Sequence, residues 1–270
     1  DLRGKYKEKF SYSELADLIT KVSFSFENYG LKKGDVVTVI SENSPRWLAV
    51  DQGLMRLGAI NAVRGINSPS VELEYIIEHS NSVGLIVQSK EIWLKLNNKE
   101  ELKKRLKFII NLEDERFESL ISWNQFISAE EQENSKNNII EKFKPKIDDV
   151  ATILYTSGTT GKPKGVPLTH ANFLHQVINL AYIADPEPGT SVLSVLPIWH
   201  SYERSAEYFF FSCGCSQYYT TPKFLKDDIK QIKPVVMATV PRLWEAIHDG
   251  FFQALKKMPS KKQKLIKFLI

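Results

Sequence analysis

The chain has 270 residues, with 36 basic and 32 acidic side chains, a size and apolar content that suit one or two domains with a real core. The net charge of +4 is too small to argue for nucleic acid. No apolar run approaches the roughly 18 residues that span a bilayer. Cys213 and Cys215 are the only cysteines. They exclude a disulfide framework, suit a reducing compartment, and read as packing residues because no further zinc ligands stand near them. Asp1 to Lys7 is polar, lacks an initiator Met and has no signal-peptide pattern. Leu265 to Ile270 is apolar and carries no stop signal, so the expectation is a fragment of a longer chain.

Ser11-Tyr12-Ser13-Glu14 is a capping-box pattern. It predicts a helix with Leu15, Leu18, Val22 and Phe26 on one face, closing near Gly30. Asp35 to Ile40 reads as a strand buried on both faces. Ser44-Pro45 caps a helix that runs to Leu57, and Ala59 to Val63 is a second strand. Ser68-Pro69 starts a helix to about His79, and Val83 to Val87 is a third strand. A charged helical stretch then leads to a strand from Phe108 to Leu112. From Glu113 to Lys146 the text turns to Glu, Lys, Asn and Ser, with scattered Phe117, Leu120, Trp123 and Phe126. One amphipathic helix and a solvated linker are expected there, as a surface connection.

The second half repeats the rhythm. Val150 to Tyr155 is an apolar strand, followed by a glycine-rich loop and a helix from Thr169 to about Ala181. Strands follow at Ser191 to Leu196, Gln217 to Thr220 and Val235 to Thr239, and helices at Tyr202 to Phe211, Phe224 to Ile232 and from Pro241 to about Lys257. The alternation predicts an α/β fold of mostly parallel sheets flanked by helices. The expected segments are a first α/β lobe over 1–112, a charged helix and linker over 113–147, and a loop-bearing α/β lobe over 148–270. Lys256, Lys257, Lys261, Lys262, Lys264 and Lys267, interleaved with Phe251, Phe252, Leu265 and Phe268, read as a solvated helix face, with peripheral contact to a membrane or an acidic partner as the alternative. The cluster is weak evidence for nucleic acid.

The loop itself is Tyr155-Thr156-Ser157-Gly158-Thr159-Thr160-Gly161-Lys162-Pro163-Lys164-Gly165. Glycines let a backbone turn sharply and aim N–H groups at one point; hydroxyls add donors and lysine adds charge. Strand, loop and helix together predict a nucleotide-phosphate cradle. The P-loop pattern G-x-x-x-x-G-K-[ST] does not fit, because Pro163 follows Gly161-Lys162 and Gly158 stands only three residues before Gly161. The dinucleotide fingerprint G-x-G-x-x-G and the serine-hydrolase elbow G-x-S-x-G are absent as well.

The whole loop resembles the signature of the adenylate-forming superfamily: acyl-CoA synthetases, peptide-synthetase adenylation domains and luciferases. Leu196-Pro197-Ile198-Trp199-His200 is similar to that superfamily's next block, and Val240-Pro241-Arg242-Leu243-Trp244-Glu245 to its long-chain fatty acyl branch. Trp199-His200-Ser201-Tyr202-Glu203-Arg204 and Ala62-Val63-Arg64-Gly65 resemble the cyanobacterial and plastid type that loads fatty acids onto acyl carrier protein. The resemblance covers the chain and implies an incomplete N-terminal large domain. It implies ATP-dependent activation of a long-chain fatty acid through an acyl-adenylate, then transfer to the thiol of coenzyme A or of carrier-protein phosphopantetheine, in the cytoplasm or the plastid stroma. An enzyme for an aryl or amino acid is disfavoured by Val240 to Glu245.

By the same resemblance, Thr156, Ser157, Thr159 and Thr160 with the loop amides would cradle the β- and γ-phosphates. Lys164 would neutralise charge with help from Lys162, and Thr156 would meet Mg²⁺. Gly158, Gly161 and Gly165 would allow close approach of the backbone. His200 would help shape the acyl pocket near the reacting carboxylate, and Trp199 and Tyr202 would wall or gate it, with core packing as the alternative reading of both. Glu203-Arg204 reads either as part of that motif or as a surface or structural ion pair. His170 and His175, five apart, share no helix face and receive no role. The superfamily's later motifs and mobile lid are not present in this sequence, so weak or no synthetase activity is expected of the chain alone. The alternative is a non-catalytic remnant that binds nucleotide or acyl chain.

Overall fold

A computed structural model of the chain describes residues 8–117, 119–128, 143–156, 161–259 and 262–263. Helix α1 (Tyr12–Asn28) begins on the predicted capping box: Ser11 Oγ accepts the Glu14 N–H, and the Glu14 carboxylate accepts the Ser11 N–H at 2.7 Å. Its buried face carries Leu18, Val22 and Phe26. Strand β1 (Val36–Ile40) leads to helix α2 (Pro45–Arg56), capped by Ser44 with Pro45 in its first turn. Strand β2 (Ile60–Arg64), helix α3 (Ser70–His79) and strand β3 (Gly84–Val87) follow. The charged stretch resolves into two short helices, α4 (Lys90–Lys95) and α5 (Lys99–Arg105), ahead of strand β4 (Phe108–Asn111).

The stretch after β4 differs from the expected surface connection. A two-residue strand, β5 (Ile121–Ser122), pairs with β4 and extends the sheet, and helix α6 (Trp123–Ile127) caps itself with a second box. Leu120, Trp123 and Phe126 are buried, and the Phe126 ring lies 4.8 Å from that of Phe26. A strand of two residues has no period to read, so its hydrophobics looked scattered. Residues 129–142 of the expected linker lie outside the described residues.

Strand β6 (Val150–Thr156) joins β2 in the same sheet, whose order is β5-β4-β3-β1-β2-β6-β7. Every pairing from β5 to β6 is parallel. The carboxyl ends of β1, β2 and β6 therefore open on one edge, where ligands of open α/β sheets gather. Strand β7 (Lys164–Thr169) was not anticipated. It runs antiparallel to β6, from Thr156 opposite Lys164 to Val150 opposite Thr169. The loop thus closes a hairpin rather than feeding a helix. Helix α7 (His170–Leu180) starts at the other end of β7, roughly 20 Å away at about 3.4 Å per residue, so its dipole does not act on the loop. Gly165 and Pro167 disguised this strand; an edge position tolerates a proline because its missing N–H costs no ladder bond.

A second, two-stranded parallel sheet pairs β8 (Ser191–Ser194) with β9 (Ser216–Tyr219), connected by helix α8 (Ser201–Ser212). Helices α9 (Leu225–Ile232) and α10 (Pro241–Lys256) follow. The strand expected over Val235 to Thr239 is reduced to a single bridge between Val236 and Val192.

Arg204 joins these parts. Its side chain is fully buried, so Glu203 and Arg204 form neither a surface pair nor a pair with each other. The guanidinium donates to Thr152 Oγ1 on β6 at 2.8 Å, to Tyr208 Oη at 2.7 Å and to Asn61 Oδ1 on β2 at 3.3 Å. It also pairs with Asp51 on α2, and lies 4.9 Å from the Phe173 ring centroid on α7. Removing one partner of such a pair leaves a buried charge uncompensated. Arg204→Met should therefore cost about 3–5 kcal/mol, read as a lower urea midpoint. Arg204→Lys should recover only part of the loss, because an ammonium cannot serve this fork of acceptors.

Candidate functional site

Arg64, the last residue of β2, anchors the strand that delivers the loop. Its Nη1 donates to the Tyr155 carbonyl at 3.0 Å and its Nε to Ser68 Oγ at 3.0 Å. Its Nη2 pairs with Glu72 at 2.6 Å. Tyr155 is also held by its hydroxyl, 3.0 Å from His79 Nδ1, and burial pushes that phenol up to about 12. The next side chain, Thr156, is exposed at the tip of β6. Ser157, Gly158, Thr159 and Thr160 lie outside the described residues.

The returning limb of the loop is described from Gly161. That glycine has φ +84° and open space where a side chain would stand, so the backbone turns there as only glycine does cheaply. Lys162 Nζ lies 5.7 Å from the Tyr75 ring centroid. Lys164 is exposed beside Thr156. Gly165 faces Tyr155, and a Cβ there would come within 3.0 Å of Ile153 Cγ2.

Trp199 and His200 reach the same edge from the second sheet. A Cβ on Gly65 would stand 2.4 Å from the Trp199 ring, so the residue after Arg64 must be small for the indole to dock. The two stretches that resemble the carrier-protein-loading type thus touch across more than a hundred residues. Asn43, beyond β1, clamps the Trp199 segment: its Nδ2 donates to the Leu196 carbonyl at 2.8 Å and to Ser194 Oγ at 2.9 Å, and its Oδ1 accepts the Ile198 N–H at 3.0 Å. His200 is the N-cap residue of α8 and is exposed. Desolvation by the surrounding protein and the nearby Arg64 charge lower its pKa, which favours a neutral imidazole at pH 7. Arg64 therefore bears on both the loop and the histidine. The sequence quoted Arg64 only within a resemblance, and it gave no signal for Asn43, whose partners lie about 150 residues away.

Behind His200, α8 turns Glu203 and Glu207 inward. Ser194 Oγ donates to Glu203 Oε1, and Tyr219 Oη donates to Glu207 Oε1 at 2.9 Å. The Oε2 atoms of both are buried without a hydrogen-bond partner among the described residues. Desolvation pushes Glu203 up to about 7 and Glu207 up to about 8, the latter also by the charge of Glu203.

The other face of α8 borders an apolar cavity of about 600 Å³. Tyr202, Ala206 and Phe209 line it from α8, Phe173 and Gln176 from α7, and Met237 from the stretch before α10. Trp199 is not among its walls; it packs on the main core instead. Cys215 is buried and Cys213 half-buried, both as free thiols. Among the described residues no cluster of three or more His, Cys, Asp or Glu could hold a metal, and no helix is long and apolar enough to cross a membrane. Lys256, Lys257 and Lys262 of the basic cluster are exposed, whereas Lys261, Lys264, Leu265, Lys267 and Phe268 lie outside the described residues.

Residues 3–268 match the family of AMP-binding enzymes, and the chain belongs to that family. Among the most similar relatives is a chloroplastic probable acyl-activating enzyme of Arabidopsis thaliana, 39% identical over 255 residues, which cover 89% of this chain and 35% of the relative. A chloroplastic long-chain-fatty-acid–[acyl-carrier-protein] ligase of the same plant is 37% identical over 257 residues, 90% of this chain and 35% of the relative. The chain thus spans about a third of these relatives. The fold is shared with a red-emitting luciferase from Phrixothrix hirtus, at TM-score 0.75 and 21% identity, over 88% of this chain and 47% of the luciferase. It is shared as well with a fatty acyl CoA synthetase of Mycobacterium tuberculosis, at TM-score 0.73 and 18% identity, over 87% and 45% of the two chains.

The buried acids set a sign for pH dependence. A carboxyl whose folded pKa is raised binds its proton more tightly in the native state, so stability falls as pH rises from the unfolded value toward the folded one. With Glu203 near 7 and Glu207 near 8, stability should decline between about pH 5 and pH 8. Denaturant midpoints across that range should show the slope in the native chain and a flatter one in the Glu203→Gln, Glu207→Gln double variant.

Proposed function

We propose that this chain forms the phosphate-loop and acyl-pocket portion of an enzyme that activates a long-chain fatty acid with ATP. A carboxylate oxygen of the fatty acid bonds to the α-phosphorus as the bond to pyrophosphate breaks. The thiol of coenzyme A or of acyl carrier protein then takes the acyl carbon, and AMP leaves. The observation that carries the reading is the apolar cavity beside the Trp199-His200 segment, in a chain whose hairpin loop bears the family's phosphate signature. An alkyl chain gains roughly 0.8 kcal/mol per buried CH₂, so a cavity of that character suits a lipid tail. The relatives named for fatty acids and acyl carrier protein support the substrate and the acceptor.

In this reading Thr156 with Ser157, Gly158, Thr159, Thr160 and Gly161 holds the phosphates. Lys164, helped by Lys162, offsets the charge that gathers there, and Gly165 keeps the backbone close. The exposed Thr156 hydroxyl, the positive φ of Gly161 and the exposed Lys162 and Lys164 fit a phosphate ligand. Mg²⁺ would supply further charge neutralisation at the phosphates, with Thr156 as its ligand from this chain. His200 lies beside the reacting carboxylate and stays neutral, so it donates a hydrogen bond without pairing off the nucleophile's charge. Tyr202 walls the tail, and Trp199, packed on Gly65, positions His200 rather than contacting the tail. The segments 1–112, 113–147 and 148–270 act as two lobes and a connector. A plastid stroma or cytoplasm suits the soluble substrates, with the basic stretch after α10 as a peripheral contact.

Pyrophosphate exchange with palmitate tests the reading. The complete enzyme should exchange, its Lys164→Ala variant should lose about 100-fold or more, and the 270-residue chain alone should exchange weakly or not at all. No exchange by the complete enzyme with any long-chain acid would sink the proposal. Parallel acylation of coenzyme A and holo carrier protein identifies the acceptor.

A further inference from the structure

A second apolar cavity, of about 460 Å³, lies among α1, α2, α7 and α8. Leu15, Ile19, Met55, Leu174, Val177 and Phe211 form its apolar wall. Of its lining only Phe173 is shared with the cavity assigned to the acyl tail. The volume falls within the roughly 300–1,000 Å³ of small-ligand sites.

Three nitrogen-bearing side chains, Arg56, His170 and Gln52, interrupt this wall. Arg56 is half-buried, and its one hydrogen bond among the described residues is from Nη1 to Thr20 Oγ1, at 2.7 Å. Arg46, Arg64 and Arg204 each meet a carboxylate, but no carboxylate pairs with Arg56 among the described residues. Burial alone lowers its pKa, with no acid nearby to offset the cost. His170 contributes Nε2, which is buried without a hydrogen-bond partner among the described residues. Asp149 and Asp51, whose charges bear on His170, are already engaged by Lys33 and Arg204. The remaining polar groups are committed: Tyr12 Oη donates to the Cys215 carbonyl at 2.8 Å, Tyr208 Oη donates to Asp51, and Gln52 Nε2 donates to Asp51 Oδ2 at 3.3 Å.

A half-buried guanidinium without a counter-ion and a buried imidazole nitrogen without a partner, both among the described residues and set in an apolar wall, are complementary to a carboxyl head group, which accepts from the guanidinium and from Nε2 when that atom carries the imidazole proton. We propose that this cavity binds an amphiphilic monocarboxylate, with the head group on Arg56 and His170 Nε2 and the alkyl tail along α1 and α7. The site is separate from the acylation pocket. It holds a fatty acid anion without activating it, and the inference stands whether or not the proposed reaction does.

A photoreactive dodecanoate, with a diazirine in its tail, tests this on the 270-residue chain. Peptide mapping should find label on α1 or α7, around Ile19 and Leu174. Unlabelled dodecanoate should displace it, and 1-dodecanol, which lacks the charge, should not. Arg56→Met should weaken that label by at least about tenfold, as expected for a lost charged hydrogen bond, while Arg56→Lys retains part of it. Ala206→Trp, which fills the other cavity, should leave it in place. Label confined to Tyr202, Ala206 and Phe209, equal displacement by 1-dodecanol, or label indifferent to Arg56→Met would each overturn the site. The displacement arm needs no variant, so a folding defect in Arg56→Met does not shield the proposal. Labelling reads binding without turnover, so its outcome is distinct from that of the exchange assay.

Discussion

The pairing of Arg204 with Asp51 is the contact on which the arrangement depends. One guanidinium from α8 reaches α2 through Asp51, β2 through Asn61 and β6 through Thr152. Thr152 donates in turn to the Asn61 carbonyl at 3.0 Å, so the two strands are linked by side chains as well as by the ladder. Burying such a pair costs several kcal/mol in desolvation, so stability alone is a weak reason to keep it. Its acceptors stand at fixed places on three elements, which lets it set the register between the small sheet's helix and the main sheet. An apolar side chain of equal size would pack there without that geometric demand.

Arg64 transmits the register to the chemistry. It fixes the Tyr155 carbonyl, one residue before the exposed Thr156, and its charge bears on His200. Asn43 holds the segment carrying Trp199, and Gly65 leaves room for the indole. The hairpin loop and the histidine are thereby referenced to one edge of one sheet. Side chains used this way need not touch a substrate to matter, because small displacements of reacting groups are expensive.

The apolar cavities lie on either side of Phe173 and differ in their polar inventory. The one beside Tyr202 offers neutral groups such as Gln176 and Asn172, apart from His175. The one beside Ile19 contains Arg56, which no carboxylate pairs among the described residues. That contrast supports the proposed tail in the first and the proposed charged head with a tail in the second.

Much was determined by the sequence alone. Capping boxes, strand runs and the glycine-rich signature are local patterns, so α1, α2, the parallel strands and family membership were legible from residues within a few positions of each other. Three local patterns misled: β7 hid behind Gly165 and Pro167, β5 was too short to show alternation, and Val235 to Thr239 formed a single bridge instead of a strand. What only the tertiary structure decided were contacts between distant positions. Nothing in the Glu203-Arg204 dipeptide says that one member will meet Ser194 and the other Asp51. Nothing near Asn43 points to Leu196, and Arg56 reads as a helix-end cation until the apolar wall around it is seen. Propensity and motif act over one turn or one strand; burial and pairing of charge are settled only when the chain has closed on itself.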